Sequence, residues 1–476
     1  MTANVKKALI FAGVFLALFY FFSELLVDKR VSRPMNMSLY TVSGFYAEPK
    51  NTLDIVSIGS SQCFTAVVPA ILWRDYGWTS YDFCVEQQPL IMSYYYIKEA
   101  VKRHPKALLL LEIGETRPRK KIKDEIVYIN LNDMKFSFNK LAAIHATNPK
   151  DWFDYLFTIK KYHFTWKELS KSQLDNMFYR GHSFSKGYSE EISNWWNDGE
   201  VPKDYDLSQT ERDKLDQDTE RYLVKIINYA KRKNVTLILY KAPSSNLDVK
   251  KRVNAIMDIA NQYNVPFIDF NLQMKGQHHL NVPQAAQMTT LLGDFLSKDY
   301  TFSDKRKDPK YAHWNKTVSF LKQQEQKYNM AKNTDFISLL NMLKGNPHYL
   351  IFVSVKDSAV KLGIDVNPNV INAWQSLGLK SDIFMGNYFS MSYIAVLDSG
   401  KIIHEQISSD KLNWKKALAG IGRVSIESAG LTTGSISSIK INNQEKSFNS
   451  RGLNIVVYDK WMKDIVLQAT FDTLLL

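Results

Sequence analysis

The sequence predicts an α/β protein in which a parallel sheet covered by helices on both faces carries a helical insertion and is followed by a mixed β-rich domain. Three observations carry this expectation. Strand-like runs at 55–59, 80–84, 107–113, 235–240 and 266–270, the third of them apolar from Ala107 through Leu111, alternate with helical segments at 69–76, 91–103, 247–263 and 283–296. Strands this apolar are buried on both faces, as in a three-layer parallel sheet. The alternation stops between Thr116 and Asp206, and from Phe336 onward the texture changes to short strands separated by polar turns. The expected organisation is an N-terminal anchor at 1–33, a first domain at 34–330 with an insertion at about 117–206, and a second domain at 331–476.

With 45% hydrophobic and 23% charged residues, the 476-residue chain is globular and not disordered. A net charge of +13 suits an acidic partner or surface. Nucleic acid is not expected as that partner: there is no zinc-ligand spacing, no phosphate-cradling glycine loop and no long basic helix. For the same reasons no metal and no cofactor are expected.

The first seven residues are short and carry Lys6 and Lys7. From Ala8 through Phe22 no charge interrupts the chain, and Leu25, Leu26 and Val27 extend the apolar stretch past Glu24. That is about the ~20 residues a membrane-crossing helix needs. No small-residue cleavage site follows, which favours a retained anchor over a cleaved signal peptide. Arg30 and Arg33 lie beyond it, so the distribution of basic residues does not fix the orientation. The expectation is a single-pass protein of the cell membrane with its bulk outside the cytoplasm.

The run Asp54 to Ile58 ends abruptly in Gly59-Ser60-Ser61. Strand, tight turn and helix in succession present a serine hydroxyl at the carboxyl edge of a parallel sheet, where such sheets bind ligands. An ordinary β–α turn has the same composition. Ser61 gains weight from His278-His279-Leu280-Asn281, which lies in the loop after the 266–270 run and rises from the same edge. A serine hydroxyl is a weak nucleophile until a neighbouring base takes its proton, and His279 can be that base; a structural histidine is the alternative. Cys63 and Cys84 follow adjacent strands at this edge, where they can form a disulfide, remain two buried thiols or, least expected, supply Cys63 as a nucleophile.

The insertion is crowded with aromatics: Trp152, Phe153, Tyr155, Phe157, Tyr162, His163, Phe164, Trp166, Trp195 and Trp196. An insertion after a strand's carboxyl end is placed to cover a site, and stacked rings suit sugars. A small core of the insertion's own accounts for the same residues.

Gly59-Ser60-Ser61, Gln87-Gln88-Pro89 leading into Tyr94 to Glu99, and His279-Leu280-Asn281 together resemble the SGNH/GDSL hydrolases. The likeness is to the membrane-anchored branch that includes the D-alanyl transfer protein of teichoic-acid modification, and Asp304 to Trp314 continues it; it covers roughly residues 50–320. The resemblance implies Ser61 as nucleophile toward an ester or thioester, His279 as general base, and a membrane acyltransferase as a candidate partner. The chain departs from the pattern where that family has an aspartate three residues before the histidine, because Gly276 stands there. Asp269 and Glu86 are the candidate substitute carboxylates. The usual oxyanion donors have no counterpart, leaving Gln87 or Gln88, and Glu112 and Glu115 occupy the end of the third strand.

In the second domain, strands are expected at 349–355, 393–397, 402–403, 437–441, 445–448, 453–458 and 466–471, with helices at 335–343 and 370–377. Arg451 to Asp459, Phe471-Asp472-Thr473, Val353 to Ala359 and Ser428-Ala429-Gly430 resemble the interleukin-like EMT-inducer domain over about 335–475. Relatives occur in secreted signalling proteins and in the stem of a protein O-mannose glycosyltransferase, where the domain binds carbohydrate; the resemblance implies a glycan-binding module here, with Trp374 and Trp461 as exposed stacking residues, and a structural or protein-binding appendage is the alternative. The two resemblances imply a membrane-anchored extracytoplasmic protein of the cell envelope that acts on acyl esters of a cell-surface polysaccharide, as O-acyl esterase or acyltransferase. The alternative is a catalytically degenerate protein that binds glycan and scaffolds polysaccharide modification or export. Ser61 and His279 favour the first and Gly276 the second, so whether the chain is an enzyme stays open at this level.

Overall fold

Five strands, β1 (Ile55–Ile58), β2 (Ser80–Asp82), β3 (Leu108–Glu112), β4 (Leu237–Lys241) and β5 (Phe267–Asp269), form a parallel sheet in the order β2-β1-β3-β4-β5. The computed structural model describes residues 2–27, 41–114, 116, 122–169, 171–192, 209–244 and 250–472. The chain divides into two units, Met1–Lys322 and Gln323–Leu476. The expected boundary at 330 falls inside the helix Asn315–Lys332.

The period of two along each strand sorts its side chains into two layers. Val56, Ile58, Leu109, Leu111, Leu237 and Leu239 join a core with the helices Leu90–Arg103, Gln217–Arg232 and Lys250–Gln262. Ile55, Leu108, Leu110, Ile238 and Tyr240 join another with Pro69–Ile71 and Val282–Asp299. Burying one such aliphatic side chain stabilises by roughly 1.5–3 kcal/mol. An exposed ion pair contributes about 0–1 kcal/mol. The two apolar layers therefore hold the unit, and its surface charges do not. Gln217–Arg232 was not among the expected helices. Asp216 caps it, accepting from the backbone N–H groups of Asp218 and Thr219, and Tyr222, Leu223, Ile226, Ile227 and Ala230 are buried at helical spacing.

β1 is flanked by β2 on one side and β3 on the other, so the chain winds away from β1 in both directions. The crevice beyond the carboxyl ends of β1 and β3 is where a doubly wound sheet receives ligands. The insertion between β3 and β4 contains the helices Asp124–Asn132, Phe138–Thr147, Trp152–Leu156, Ile159–Tyr162 and Lys171–Met177. Tyr155, Phe157 and Tyr162 are buried, whereas Trp152, Phe153, Phe164 and Trp166 are exposed. Trp195, Trp196 and Glu115 lie outside the described residues. The N-terminal helix Ala3–Leu26 is long and apolar enough to cross a membrane.

The second unit holds a nine-stranded sheet. Its main path runs β12 (Gln444–Glu445), β11 (Ile436–Ile441), β10 (Gly422–Gly430), β6 (Tyr349–Asp357), β13 (Gly452–Asp459) and β14 (Asp464–Phe471). β7 (Ser392–Asp398) pairs with β6 and with β8 (Lys401–Ser408), and β9 (Leu412–Leu418) pairs with β10. Most pairings are antiparallel, and β10–β6 is parallel. The helices Phe336–Leu343 and Pro368–Gln375 pack on this sheet's core. β9 and β10 were not expected: β9 is largely exposed and reads Leu-Asn-Trp-Lys-Lys, without an apolar run, and β10 buries only Val424 and Ile426 in alternation before the small residues Ser428-Ala429-Gly430. Trp374 is fully buried and donates Nε1–H to the Lys380 carbonyl, so it belongs to the core and cannot stack on a sugar. Trp461 is half-buried beside His348, with ring centroids 4.9 Å apart.

Candidate active site

The chain leaves β1 through Gly59, where the backbone passes so close to β3 that a Cβ would sit 2.6 Å from Glu112 Cβ. Only glycine fits that approach. Ser60 then caps the short helix Ser61–Phe64, its Oγ accepting from the Gln62 backbone N–H and donating to Glu112 Oε2 at 3.1 Å. With Ser60 committed to structure, Ser61 is the serine left facing the crevice. Its Oγ lies 2.8 Å from His279 Nε2.

His279 is positioned from two sides. After it, Asn281 opens the helix Val282–Asp299 with a capping box, accepting from the Gln284 N–H while the Gln284 side chain accepts from the Asn281 N–H. Before it, His278 is held by Gln62, whose Nε2 lies 3.1 Å from His278 Nδ1 and 3.1 Å from its carbonyl. Gln62 is fixed in turn by Lys241 Nζ, which donates to its Oε1 at 2.7 Å. Lys241 also stands 3.8 Å from Glu112, and both side chains are buried. This compensated pair underlies the site. Burial pushes the Asp82 carboxyl at the end of β2 well above the ordinary range, and burial, then the charges of Glu112 and Asp82, raise the Tyr240 phenol. The floor of the crevice is therefore a poorly solvated medium in which polar contacts act strongly.

The carboxylate facing His279 Nδ1 is neither Asp269 nor Glu86. It is Glu191, with Oε2 3.8 Å from Nδ1 and both side chains largely buried. Asp269 is occupied elsewhere, accepting from the Asn271 N–H and side-chain amide and lying 3.9 Å from Lys250 Nζ. Glu86 sits on the turn after β2, where its carbonyl accepts from Asn130. Glu191 arrives at the end of the insertion and makes an isolated parallel bridge to Asn281.

The segment leading to Glu191 is anchored along β2 and the Ser61 helix. The Asp82 N–H donates to the Lys186 carbonyl and the Ser189 N–H to the Phe64 carbonyl, each at 2.9 Å. Gly187 has φ +92° and passes so close to β2 that a Cβ would lie 2.2 Å from the Asp82 carbonyl oxygen. Sequence reasoning missed Glu191 because Tyr188-Ser189-Glu190-Glu191 carries no motif. Its one legible signal is a glycine just ahead of a pair of acids.

Cys63 and Cys84 are joined as a disulfide with Cα atoms 6.3 Å apart, and with Phe64 they form a small apolar cluster behind Ser61. This excludes a Cys63 nucleophile in the oxidised chain. The glutamines lie away from an oxyanion role: Gln88 Nε2 donates to Ser93 Oγ at 3.1 Å, and Gln87 is exposed on a turn with φ +50°. Gln88 is drawn there by the helix Leu90–Arg103, which begins immediately after Pro89.

Gly276 has no room for the aspartate found at that position in the resembled family. A Cβ would lie 2.5 Å from Pro243 Cβ and 2.6 Å from Leu280 Cδ2. Gly276→Asp is expected to lower stability by about 1–3 kcal/mol from overpacking, with a further cost for burying the carboxylate. It should bring no gain in ester turnover, measured beside a thermal melt; a faster variant of unchanged melting temperature would contradict this geometry.

No protein-family model, no curated protein and no solved structure matches this chain.

Proposed function

We propose that this chain is a membrane-anchored, SGNH-like acyl-transfer protein that acts outside the cytoplasm on acyl esters of a cell-surface polysaccharide. The observation that carries the reading is the 2.8 Å approach of Ser61 Oγ to His279 Nε2 at the carboxyl edge of the parallel sheet. Glu191 on the far side of the imidazole completes the order nucleophile, base, carboxylate. In this reading His279 Nε2 takes the Ser61 proton as Oγ attacks the acyl carbonyl. The Ser61 N–H receives the developing oxyanion. Collapse expels the sugar oxygen, which leaves with the proton from His279, and water or a second sugar hydroxyl then releases the acyl group from Ser61. The Glu191 carboxylate supports the imidazolium formed in both steps. Its 3.8 Å separation from Nδ1 is longer than a hydrogen bond, and such contacts tighten when substrate binds. The Cys63–Cys84 disulfide is consistent with an oxidising compartment.

The test is the full chain in detergent treated with a fluorophosphonate, followed by peptide mapping. Covalent labelling of Ser61, accompanied by turnover of a small aryl acetate, is the expected result. An unlabelled Ser61 and no turnover would leave the second reading, a glycan-binding scaffold. That reading is favoured by the unclosed Glu191–His279 contact and by a groove of about 440 Å³ on the second unit, where Asn341, Asn369, Asn372 and Ser376 suit sugar hydroxyls beside Lys344 and the apolar Ile337 and Ala373. For the scaffold, retention of surface polysaccharide by the full chain should persist at ~1 M salt, where the Debye length is about 3 Å, and should weaken in Asn372→Ala.

A further inference from the structure

We propose that the exposed aromatic face of the insertion seats in the headgroup–acyl boundary of the bilayer, beside the point where the N-terminal helix leaves it. Ala8–Phe22 of that helix carries no charge and spans ~22 Å at 1.5 Å per residue, and Lys6 and Lys7 at its start can extend their side chains to the opposite headgroups, so the segment approaches the ~30 Å hydrocarbon thickness of a bilayer. The helix then turns inward to the protein: Ser23 and Glu24 are buried, and Glu24 meets Lys140 at 2.9 Å with both side chains shielded. The boundary of the apolar phase thus falls near Phe22.

Several insertion rings are held within a turn or so of that level. Phe153 stacks on Phe19 with centroids 6.4 Å apart, and Phe136 lies 4.9 Å from Tyr20. Thr165 donates to the Leu26 carbonyl at 2.5 Å, which brings its neighbours Phe164 and Trp166 beside the last turn. These rings are not core: Phe136, Phe153, Phe164 and Trp166 are 53%, 46%, 59% and 61% exposed, and Trp152, 48% exposed, stands next to Phe153. So many neighbouring exposed rings on one insertion are unusual for a surface facing only water. Tryptophan and phenylalanine at the end of a membrane helix, with the exposed Lys161 and Lys167 among them, match the composition of an interfacial belt, and the lysines favour anionic headgroups. The surface is continuous with the anchor helix, which is the reason to assign it to lipid and not to a protein partner.

The inference rests on Ala3–Leu26 crossing the bilayer, and one experiment separates the two claims. The full chain is reconstituted in phosphatidylcholine–phosphatidylglycerol vesicles containing a lipid with a photoreactive diazirine near its glycerol backbone, irradiated and mapped by peptide. Adducts are expected on peptides covering 150–169 as well as on the anchor helix. The double substitution Phe164→Ser, Trp166→Ser should lower the 150–169 adducts several-fold and leave the helix adducts unchanged. Both residues are exposed, so the fold is retained, and an unchanged near-ultraviolet circular dichroism spectrum outside the lost tryptophan contribution verifies it. Adducts confined to the helix overturn the seating while sparing the anchor. A chain without adducts anywhere, or one recovered lacking its first 27 residues, overturns both.

Discussion

Ser61→Ala is expected to bring aryl ester hydrolysis to background, and His279→Ala to do the same, each by at least ~10³-fold in kcat/KM. In the proposed mechanism the 2.8 Å contact makes the two a single device, since one group attacks only as the other takes its proton. The double variant should therefore be no slower than either single. Glu191→Gln keeps the shape beside Nδ1 and removes the charge. A loss on the order of 10²-fold, falling on kcat more than KM, is expected of a group that supports the imidazolium without binding substrate. Full activity in Glu191→Gln would remove that residue from the mechanism and leave the serine and histidine in it. Full activity in Ser61→Ala would sink the acyl-transfer reading.

Lys186→Met is expected to destabilise the first unit by about 3–5 kcal/mol, the effect of leaving one member of a buried pair uncompensated. Lys186 Nζ donates to Glu48 Oε1 at 2.6 Å, and the two side chains are 6% and 2% exposed. The cation also lies 4.6 Å from the Trp314 ring centroid. A chemical-denaturation or thermal transition assigned to the first unit reads the loss. Replacing both partners, Lys186→Met with Glu48→Leu, should recover most of it, because no charge is then stranded. If the single variant is as stable as the parent, the pair is water-accessible in solution. Ester turnover should fall with stability in the single variant, since Lys186 lies in the segment that delivers Glu191.

The parallel sheet was legible because β1, β3, β4 and β5 lie in apolar runs bounded by turns, whereas β2, Ser-Tyr-Asp, shows only by its place in the alternation. The N-terminal helix was legible for the same reason, carried to ~20 residues. The second sheet was legible only in part. Its inner strands β6, β7 and β13 are apolar, but β9 gains its place by pairing with β10, and pairing across a sheet leaves no trace in a local pattern. At the site, the serine and histidine follow strands whose ends share an edge, so topology made their neighbourhood legible, while the capping box and the Gln62–His278 contacts that set the distance did not show. The carboxylate did not follow from topology. Glu191 comes from an insertion that the sheet's winding does not govern, and its approach depends on Gly187 and on hydrogen bonds to Asp82 and Phe64, which are contacts between distant residues. Trp374 was misread for a related reason: an aromatic in a short helix gives no sign of which face the sheet will cover.

The path of the chain from the insertion to His279 has a consequence for the order in which the molecule becomes competent. Ser61 follows a strand of the parallel sheet and His279 precedes its capped helix, whereas the acid arrives on a segment that belongs to neither and comes from the insertion that also contacts the root of the Ala3–Leu26 helix. A nascent chain with a finished sheet and an unfolded insertion would hold a nucleophile and a base without the group that steadies the charge between them. In the proposed mechanism the site is therefore complete only once the insertion has folded against the root of the Ala3–Leu26 helix.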